Sequence, residues 1–436
     1  MQNRLTSFAF ATAIAVLALG SSVRAHDARD GRDDDGKDGD QSIQLGPRPF
    51  YLVDGMDSGW LKSKLSQCKA GPFHRTDFSI GHRGAALQFP EHSKEAYNAG
   101  ARMGAGIVEC DTTFTSDGKL VCRHSDCDLH TTTNIVATDL NNKCEVRWTG
   151  PFDQKQNPAP KCCTWDLTLD EFKSLRAKMD ASNPAATTPE GYLGGTASWR
   201  TDLYTGRGTL MTLRESIRLN RKNGVKHTPE LKGGDAGQIK SIFGGQDEYA
   251  QKFADVLHEE DVKPRDVWPQ SFNVNDVLYW IDHTKYGKQA VFLIDYDDKK
   301  DDIILLDEKG RPVDKPAERA TFFAKLKGRG VQIIAPPMPA LLEVDGAGRI
   351  LPSKLAKYLK EMGFDIITWT FERADLRQGA SKAGFYYDFD PQGKAIKKDS
   401  DMYKALDVLA RQVGILGIFS DWPATVTYYA NCMGLK

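Results

Sequence analysis

Three short segments of the chain carry side chains that could act together on a phosphate ester. The first supplies His82 and Arg83, the second supplies Glu109 and Asp111, and the third supplies His124. Each of them closes or follows a short apolar run. Imidazoles exchange protons near neutral pH, carboxylates bind cations, and a guanidinium grips phosphoryl oxygens. These side-chain types match the needs of metal-assisted phosphodiester cleavage, provided that the fold brings them together.

The segment from Glu109 to Asp111 predicts a cation site. Residues two apart in a strand point to the same side, so Glu109 and Asp111 share one face and Cys110 lies on the other. Two adjacent carboxylates repel each other unless a cation lies between them or one of them takes a proton. Oxygen ligands suit Mg²⁺ or Ca²⁺ rather than zinc, and we therefore expect one divalent cation of this kind. The alternative is a surface strand with two solvated acids.

A fourth segment places Glu230 and Lys232 two residues apart at another predicted strand end. Glu230 would add a third carboxylate to the cation site, and Lys232 would offset the charge of a phosphate. Taken alone, this spacing carries little information.

The elements that must position these residues alternate in type along the chain. From about residue 76, β-rich runs are separated by helical patterns, which predicts an α/β fold of parallel strands with helical crossovers, a modified TIM (β/α)₈ barrel. We predict nine strands, one of which must lie outside the barrel: 78–82, 107–113, 120–124, 225–231, 267–272, 290–295, 331–336, 366–371 and 415–420. About six residues separate the second and third, too few for a helical crossover, so the barrel must be modified there.

A long segment from about residue 125 to 205 follows the third strand. It is rich in Thr, Asn, Pro and Cys, and we interpret it as an insertion stapled by disulfides. Because it leaves from the carboxyl end of a strand, where barrel enzymes carry their active sites, it would shape or cover the substrate pocket. The acidic run from Asp295 to Asp298 lies at the end of a predicted strand, where it could reach the cavity mouth, but we favour a solvated loop.

The cysteines of the insertion are Cys127, Cys144, Cys162 and Cys163. They allow three pairings, among which the sequence does not choose, although a bond between the adjacent Cys162 and Cys163 is the least favoured. Zinc is the alternative, but the chain lacks paired CxxC motifs with suitable histidines.

The remaining cysteines bracket or enter the predicted barrel. Cys68 and Cys432 flank the fold and would join its ends. Strand alternation places Cys122 on the same side as His124, towards the barrel interior, and turns Cys110 away. We therefore expect no bond between Cys110 and Cys122.

The N-terminus predicts export. Residues 1–25 read as a signal peptide, with Arg4, a short apolar stretch and Val23-Arg24-Ala25 as the cleavage site, so we expect a secreted or periplasmic protein without stable membrane insertion. Residues 26–48 form an acidic segment that we expect to be disordered, and 49–436 form the catalytic domain. A net charge of −1 argues against a nucleic-acid-binding surface.

The order of the motifs resembles the glycerophosphodiester phosphodiesterase family from about residue 79 to 424. The motifs are His82-Arg83-Gly84, Pro90-Glu91, Glu109-Cys110-Asp111, Asp117-Gly118, the His124 strand, Glu230-Leu231-Lys232, Gln270-Ser271-Phe272, Trp369-Thr370 and Gly417-Ile418-Phe419-Ser420-Asp421-Trp422-Pro423. The resemblance implies a TIM barrel, a divalent cation, and hydrolysis of small glycerophosphodiesters to glycerol 3-phosphate and an alcohol, with no obligate protein partner. The resemblance also implies that His82 and His124 are the acid and base, and that Glu109, Asp111 and Glu230 are the metal ligands. Arg83 and Lys232 would contact the phosphate, and Trp369 would form part of the pocket wall.

Two departures from the family pattern leave the substrate open. His92 stands where the family commonly has an amide, and the acid that usually follows the second histidine is displaced by one residue, to Asp126. One alternative function is a lipid phosphodiesterase related to phospholipase D or sphingomyelinase D. A second is an exported, non-catalytic binding protein for phosphorylated polyols.

Overall fold

The computed structural model describes residues 42–152 and 158–436. The predicted signal peptide and residues 26–41 lie outside this part of the chain. The described residues form thirteen strands: β1 (Thr76–Gly81), β2 (Ala105–Phe114), β3 (Leu120–Cys122), β4 (Lys226–Leu231), β5 (Gln270–Ser271), β6 (Val291–Leu293), β7 (Asp295–Asp297), β8 (Asp302–Ile304), β9 (Ile333–Ala335), β10 (Leu342–Val344), β11 (Ile350–Pro352), β12 (Asp365–Phe371) and β13 (Gly417–Ser420).

Eight of these strands close into a parallel barrel. Their order around the barrel is β1-β13-β12-β9-β6-β5-β4-β2, and β2 pairs with β1 to complete the ring. Each neighbouring pair is parallel. The predicted TIM barrel is therefore confirmed.

Of the nine predicted strands, the third, 120–124, is the one outside the barrel. β3 pairs antiparallel with β2, with Thr112 opposite Cys122. The connecting turn contains Gly118 at φ 69°, and the Thr115 hydroxyl donates a hydrogen bond of 2.7 Å to the Asp117 carboxylate. A turn of this length joins antiparallel strands but cannot carry a crossover, so β3 forms a hairpin with the end of β2 outside the barrel. We call this hairpin, with the residues up to His124, the hairpin arm.

Helices follow most of the barrel strands, as a (β/α) repeat requires. Those described are α1 (Arg48–Gly55), α2 (Trp60–Gln67), α3 (Lys94–Arg102), α4 (Leu129–Thr132), α5 (Leu169–Ser174), α6 (Pro189–Tyr192), α7 (Leu213–Lys222), α8 (Ala236–Phe243), α9 (Gln246–Glu259), α10 (Val274–His283), α11 (Pro316–Gly328), α12 (Met338–Leu341), α13 (Lys354–Glu361), α14 (Met402–Val408) and α15 (Pro423–Met433). The Ser93 hydroxyl caps α3 by accepting from the Ala96 amide at 3.1 Å.

Alternation along the barrel strands divides the apolar side chains between two cores. One fills the barrel interior: Ile80, Ile107, Val291, Leu293, Ile333, Ala335, Ile367 and Phe419. The other lies between the strands and the surrounding helices, and includes Val108, Cys110 and Phe114 of β2. Burial of each such side chain stabilises the fold by about 1.5–3 kcal/mol.

The insertion between β3 and α7 has a hydrophobic core of its own. Leu129, Trp148, Phe172 and Tyr192 are among its buried side chains. The disulfides Cys127–Cys163 and Cys144–Cys162 cross this core. The predicted staple is thus confirmed, and the adjacent cysteines 162 and 163 bond to different partners.

The expectation of no bond between Cys110 and Cys122 is wrong. These cysteines form a disulfide, with their Cα atoms 5.3 Å apart. Because Cys122 lies opposite Thr112 in the antiparallel pair, it shares the helix-facing side of β2 with Cys110. We extrapolated strand alternation to His124, whereas β3 ends at Cys122 and the chain then turns into the cavity.

The ends of the domain are joined covalently. Cys68 and Cys432 form a disulfide, as predicted. Leu45 is buried against the helix-facing core, so ordered chain begins before residue 49, the boundary we expected. Within the described residues, no helix is long and apolar enough to cross a lipid bilayer.

Candidate active site

The carboxyl ends of the barrel strands surround a cavity of about 570 Å³. Every side chain singled out from the sequence lines it: His82, Arg83, Glu109, Asp111, His124, Glu230, Lys232 and Trp369. The insertion adds Asp128, Thr131, Thr132 and Asp180, so it forms part of the cavity wall. Asp295 also lines the cavity, so the less favoured of our two expectations for this run is the one that the structure shows.

A tight turn after β1 aims Arg83 at the carboxylates. Arg83 has φ 53° and Gly84 has φ 96°. A Cβ atom on Gly84 would lie 2.6 Å from the backbone of Ala96, so only glycine fits there. In this turn the Arg83 amide donates to Glu109 Oε2 at 2.9 Å, and its guanidinium donates to Glu91 at 2.7 Å.

Glu109, Asp111 and Glu230 form a buried acidic triad. One carboxylate oxygen from each lies within 4.8 Å of the others. Adjacent strands bring them together, because Asp111 of β2 lies opposite Glu230 of β4 in the parallel ladder. Burial and the neighbouring carboxylates raise the pKa of Glu109 well above its usual range, and burial raises the pKa of Glu230 to about 7 against the opposing charge of Lys232.

The triad fits a divalent cation. Three acids this close in a buried site repel one another, which a bound cation would relieve. The buried Oδ1 of Asp111 has no hydrogen-bond partner among the described residues, as expected of an oxygen reserved for a ligand. The donors are all carboxylate oxygens, which Mg²⁺ and Ca²⁺ prefer.

Neutral and basic partners hold the other oxygens of the triad. The Gln270 side-chain amide donates to Glu109 Oε1 at 2.9 Å. His92 does not lie at the cavity mouth: it is fully buried behind Asp111, with Nε2 2.9 Å from Asp111 Oδ2 and Nδ1 3.1 Å from the Tyr97 hydroxyl. Although burial would raise the pKa of Asp111, His92 and the cationic side chains nearby keep it well below the usual range.

His82 is oriented by a carboxylate. Its Nδ1 lies 2.5 Å from Asp421 Oδ1, and its Nε2 lies 3.8 Å from Glu109 Oε2. Burial and the positive charge of Arg83 lower the pKa of His82 to about 4, although Asp421 opposes the shift. The imidazole is therefore neutral at pH 7, and the Asp421 contact assigns its proton to Nδ1, which leaves Nε2 with a lone pair.

His124 enters the cavity from the hairpin arm. Its ring has no protein hydrogen-bond partner among the described residues, so both nitrogens remain available to a ligand. Burial, with Arg83 and Lys232, lowers its pKa well below the usual range. Lys232 Nζ lies 2.7 Å from Glu230, beside the triad.

A chain of ion pairs connects the insertion to His82. Asp180, from the insertion, lies 2.8 Å from Arg373 and 2.6 Å from Arg200. Arg373 donates in turn to Asp421 at 2.9 Å, and Asp421 contacts His82. Arg373 also lies 3.8 Å from Glu91, the partner of Arg83.

Sequence reasoning gave no role to four residues that support the site. Gln270 and Asp421 lie at strand ends within motifs that we quoted, and Arg373 is two residues beyond β12, so the strand-end rule would have found all three. Asp180 lies in the irregular insertion, where no periodicity marks it.

The chain matches known proteins along most of its length. The model of the glycerophosphoryl diester phosphodiesterase family matches residues 82–425. An Arthroderma benhamiae protein named "Extracellular protein" is 39% identical over 263 residues, 59% of this chain and 100% of that protein. The Arabidopsis thaliana glycerophosphodiester phosphodiesterase GDPD6 is 22% identical over 81% of this chain and 85% of its own.

The barrel also matches a solved structure. A crystal structure from Silicibacter pomeroyi DSS-3, of a candidate glycerophosphoryl diester phosphodiesterase, aligns with a TM-score of 0.51 and 15% identity. The alignment covers 86% of this chain and 99% of that chain, and at this identity it supports the fold.

Proposed function

The chain belongs to the glycerophosphoryl diester phosphodiesterase family, and from this premise we propose that it is an exported hydrolase that uses a divalent cation and two histidines. It would cleave glycerophosphodiesters to glycerol 3-phosphate and an alcohol. The observation that carries the proposal is the common cavity, which the acidic triad shares with the imidazoles of His82 and His124.

Glu109, Asp111 and Glu230 would hold the cation. When bound, Mg²⁺ or Ca²⁺ would supply positive charge to the phosphoryl oxygens and stabilise the charge that develops during cleavage. Arg83 and Lys232 line the same cavity and would contact the phosphate.

His82 and His124 suit opposite halves of the proton transfer. His82, with Nδ1 bonded to Asp421, offers the Nε2 lone pair to the cavity and would act as the base for the attacking hydroxyl. His124, whose ring is free of protein partners among the described residues, would donate a proton to the leaving alcohol oxygen once the negative charge of a bound phosphate had favoured its protonated form. The attacking hydroxyl can come from water or from the substrate glycerol.

Two observations support export: the four disulfides and the name of one relative. Four disulfides favour an oxidising compartment. The Arthroderma benhamiae relative carries the name of an extracellular protein. Protein recovered from the culture medium of a secreting host should begin at His26 by N-terminal sequencing.

The decisive experiment measures glycerol 3-phosphate released from glycerophosphocholine. We expect EDTA to abolish the reaction, and Mg²⁺ or Ca²⁺ added back to restore it. His82→Ala and His124→Ala should each lower kcat by about 10²–10⁴-fold while the melting temperature stays near that of the wild type. Near-normal kcat in either variant would contradict the acid–base assignment.

Parallel assays separate the alternatives. Release of choline from sphingomyelin or lysophosphatidylcholine that is faster than release of glycerol 3-phosphate from glycerophosphocholine would identify a lipid phosphodiesterase instead. Tight binding of glycerol 3-phosphate with no hydrolysis at any metal concentration would identify a binding protein.

A further inference from the structure

Four aromatic side chains line the side of the cavity that runs from the end of β5 to the end of β12. Phe272 follows β5, Trp369 lies in β12, and Phe385 and Tyr386 belong to the loop beyond β12. Three of the ring pairs meet nearly at right angles: Phe272 with Trp369 at 86°, Trp369 with Tyr386 at 76°, and Phe385 with Tyr386 at 87°. Trp369 and Phe385 are instead stacked, with their planes 24° apart. Neighbouring ring centroids lie 5.1 to 6.3 Å apart, so the rings form a continuous aromatic wall whose ring faces point in more than one direction.

The wall offers ring surface rather than polar groups. The Trp369 indole N–H already donates to the Ala335 carbonyl at 2.9 Å, so its one polar atom is satisfied within the barrel. Phe272 is 39% exposed, and the other three rings are partly exposed. Exposed ring faces carry partial negative charge and attract cations, most strongly on tryptophan.

A carboxylate adjoins the aromatic wall. Asp295 lines the same cavity, and its Oδ1 accepts a hydrogen bond of 2.8 Å from the Tyr296 amide. The Tyr296 ring contacts Phe385 at 6.0 Å, which places the β7–β8 hairpin against the wall. Among the described residues, Asp295 forms no ion pair with a lysine, arginine or histidine, so its charge is available to a ligand.

A cation held by the acidic triad would give the two parts of the cavity opposite electrostatic character. Arg83 and Lys232 lie at the triad end, where a phosphate would bind, and Asp295 lies with the aromatic rings at the other end. Lys232 Nζ lies 5.7 Å from the centre of the Phe272 ring, which marks the boundary between the two ends. A ligand with a phosphate anion at one end and a cation at the other matches this polarity.

We propose that the aromatic wall and Asp295 bind the quaternary ammonium of a choline-type alcohol, so that the preferred substrate is a zwitterionic glycerophosphodiester. This inference rests on the proposed function, because it names the alcohol of the diester that the triad end would cleave. N-methyl groups make apolar contact with ring faces and need no hydrogen-bond acceptors. A primary ammonium carries three donors, and only the Asp295 carboxylate and the Tyr386 hydroxyl could accept from them here, whereas the rings themselves offer apolar surface that suits N-methyl groups.

The test compares two esters of equal shape and different charge. Glycerophosphocholine is assayed beside its carbon analogue, the 3,3-dimethylbutyl ester of glycerol 3-phosphate, with release of glycerol 3-phosphate as the readout for both. We expect kcat/KM to be about 5- to 30-fold higher for the charged ester, the range that partly desolvated cation–π contacts support. Asp295→Asn and Phe385→Leu should each reduce this ratio at least threefold.

Asp297→Asn is the matched control variant. Asp297 lies in the same hairpin but pairs with Lys300 at 2.9 Å and does not line the cavity. The wild-type ratio should persist in this variant. Loss of the ratio in Asp297→Asn would mean that the hairpin, rather than the Asp295 charge, sets the preference, and would overturn the proposal.

The outcomes distinguish this inference from the proposed function. Hydrolysis of both esters at equal kcat/KM, or preference for glycerophosphoethanolamine, would overturn the head-group assignment and leave the proposed function standing. Hydrolysis of neither ester under any metal would contradict the proposed function itself. Preference for lysophosphatidylcholine micelles, with the same dependence on charge, would support the head-group assignment and contradict a soluble substrate.

Discussion

Replacing Asp421 by asparagine should disable His82 without changing the shape of the site. Asp421 is buried and holds two donors, His82 Nδ1 at 2.5 Å and Arg373 Nη1 at 2.9 Å. An asparagine amide can accept from only one of them. An arginine side chain only donates hydrogen bonds, so the asparagine oxygen must face Arg373 and the amide nitrogen must face His82. That nitrogen would donate to His82 Nδ1, which would force the imidazole proton from Nδ1 to Nε2.

The size of the effect follows from the bond that is lost. A hydrogen bond to a charged group contributes about 1.5–3 kcal/mol, and each 1.36 kcal/mol changes a rate tenfold. We therefore expect kcat for glycerophosphocholine to fall about 10- to 150-fold, with a smaller change in KM, since Asp421 is proposed to act on the base rather than on substrate binding. Nitrogen NMR of the His82 ring should report the proton on Nδ1 in the wild type and on Nε2 in the variant.

Asp375→Asn, in the loop after β12, is the control for loss of a carboxylate that pairs with an arginine. Asp375 forms an exposed pair with Arg377 at 2.7 Å and does not line the cavity. Its kcat should equal that of the wild type. Asp421→Asn with normal kcat, or with reduced kcat and an unchanged His82 tautomer, would refute the reasoning.

Two further predictions concern the insertion and a buried histidine outside the site. Asp180→Asn should lower the free energy of unfolding by about 1–3 kcal/mol in urea titrations, because it removes a negative charge that pairs with the partly buried Arg373. Asp202→Asn, at an exposed position in the same insertion, should leave the free energy of unfolding unchanged. Equal losses in the two variants would contradict the ionic explanation. Burial and Arg221 lower the pKa of His227 to about 4, below its unfolded value of about 6.5, so stability should be lost as pH falls from 6.5 towards 4 while the unfolded chain takes up the proton. His227→Gln should reduce this loss of stability by at most about 3 kcal/mol at pH 4. If the free energy of unfolding in urea fell equally steeply between pH 7.5 and 4.5 in the variant and the wild type, the prediction would be wrong.

Much of the cavity was predictable because parallel strands end at the same edge. Glu109, Asp111 and Glu230 lie in strands whose carboxyl ends meet, so reading each strand end placed them together without any knowledge of contacts. The peripheral strand was also foreseeable, since the short turn after β2 excluded a crossover.

The remaining features depended on information that periodicity does not contain. Cys110 and Cys122 share a side because of the antiparallel pairing of β3, whereas single-strand alternation had suggested opposite sides. The position of His92 behind Asp111 depends on a turn with a positive φ of 54° at that residue. Asp180 reaches Arg373 through the fold of the insertion, which disulfides and its own core determine.

The disulfide between Cys68 and Cys432 closes the barrel into a covalent loop, from which the chain continues at both ends. The bond spans 364 residues, and every barrel strand and the whole insertion lie within the loop. Exopeptidases that start from either terminus would therefore remove only tail residues before they met the cross-link. In the extracellular setting that we propose for this protein, degradation would then require an internal cut in a domain whose ends cannot separate.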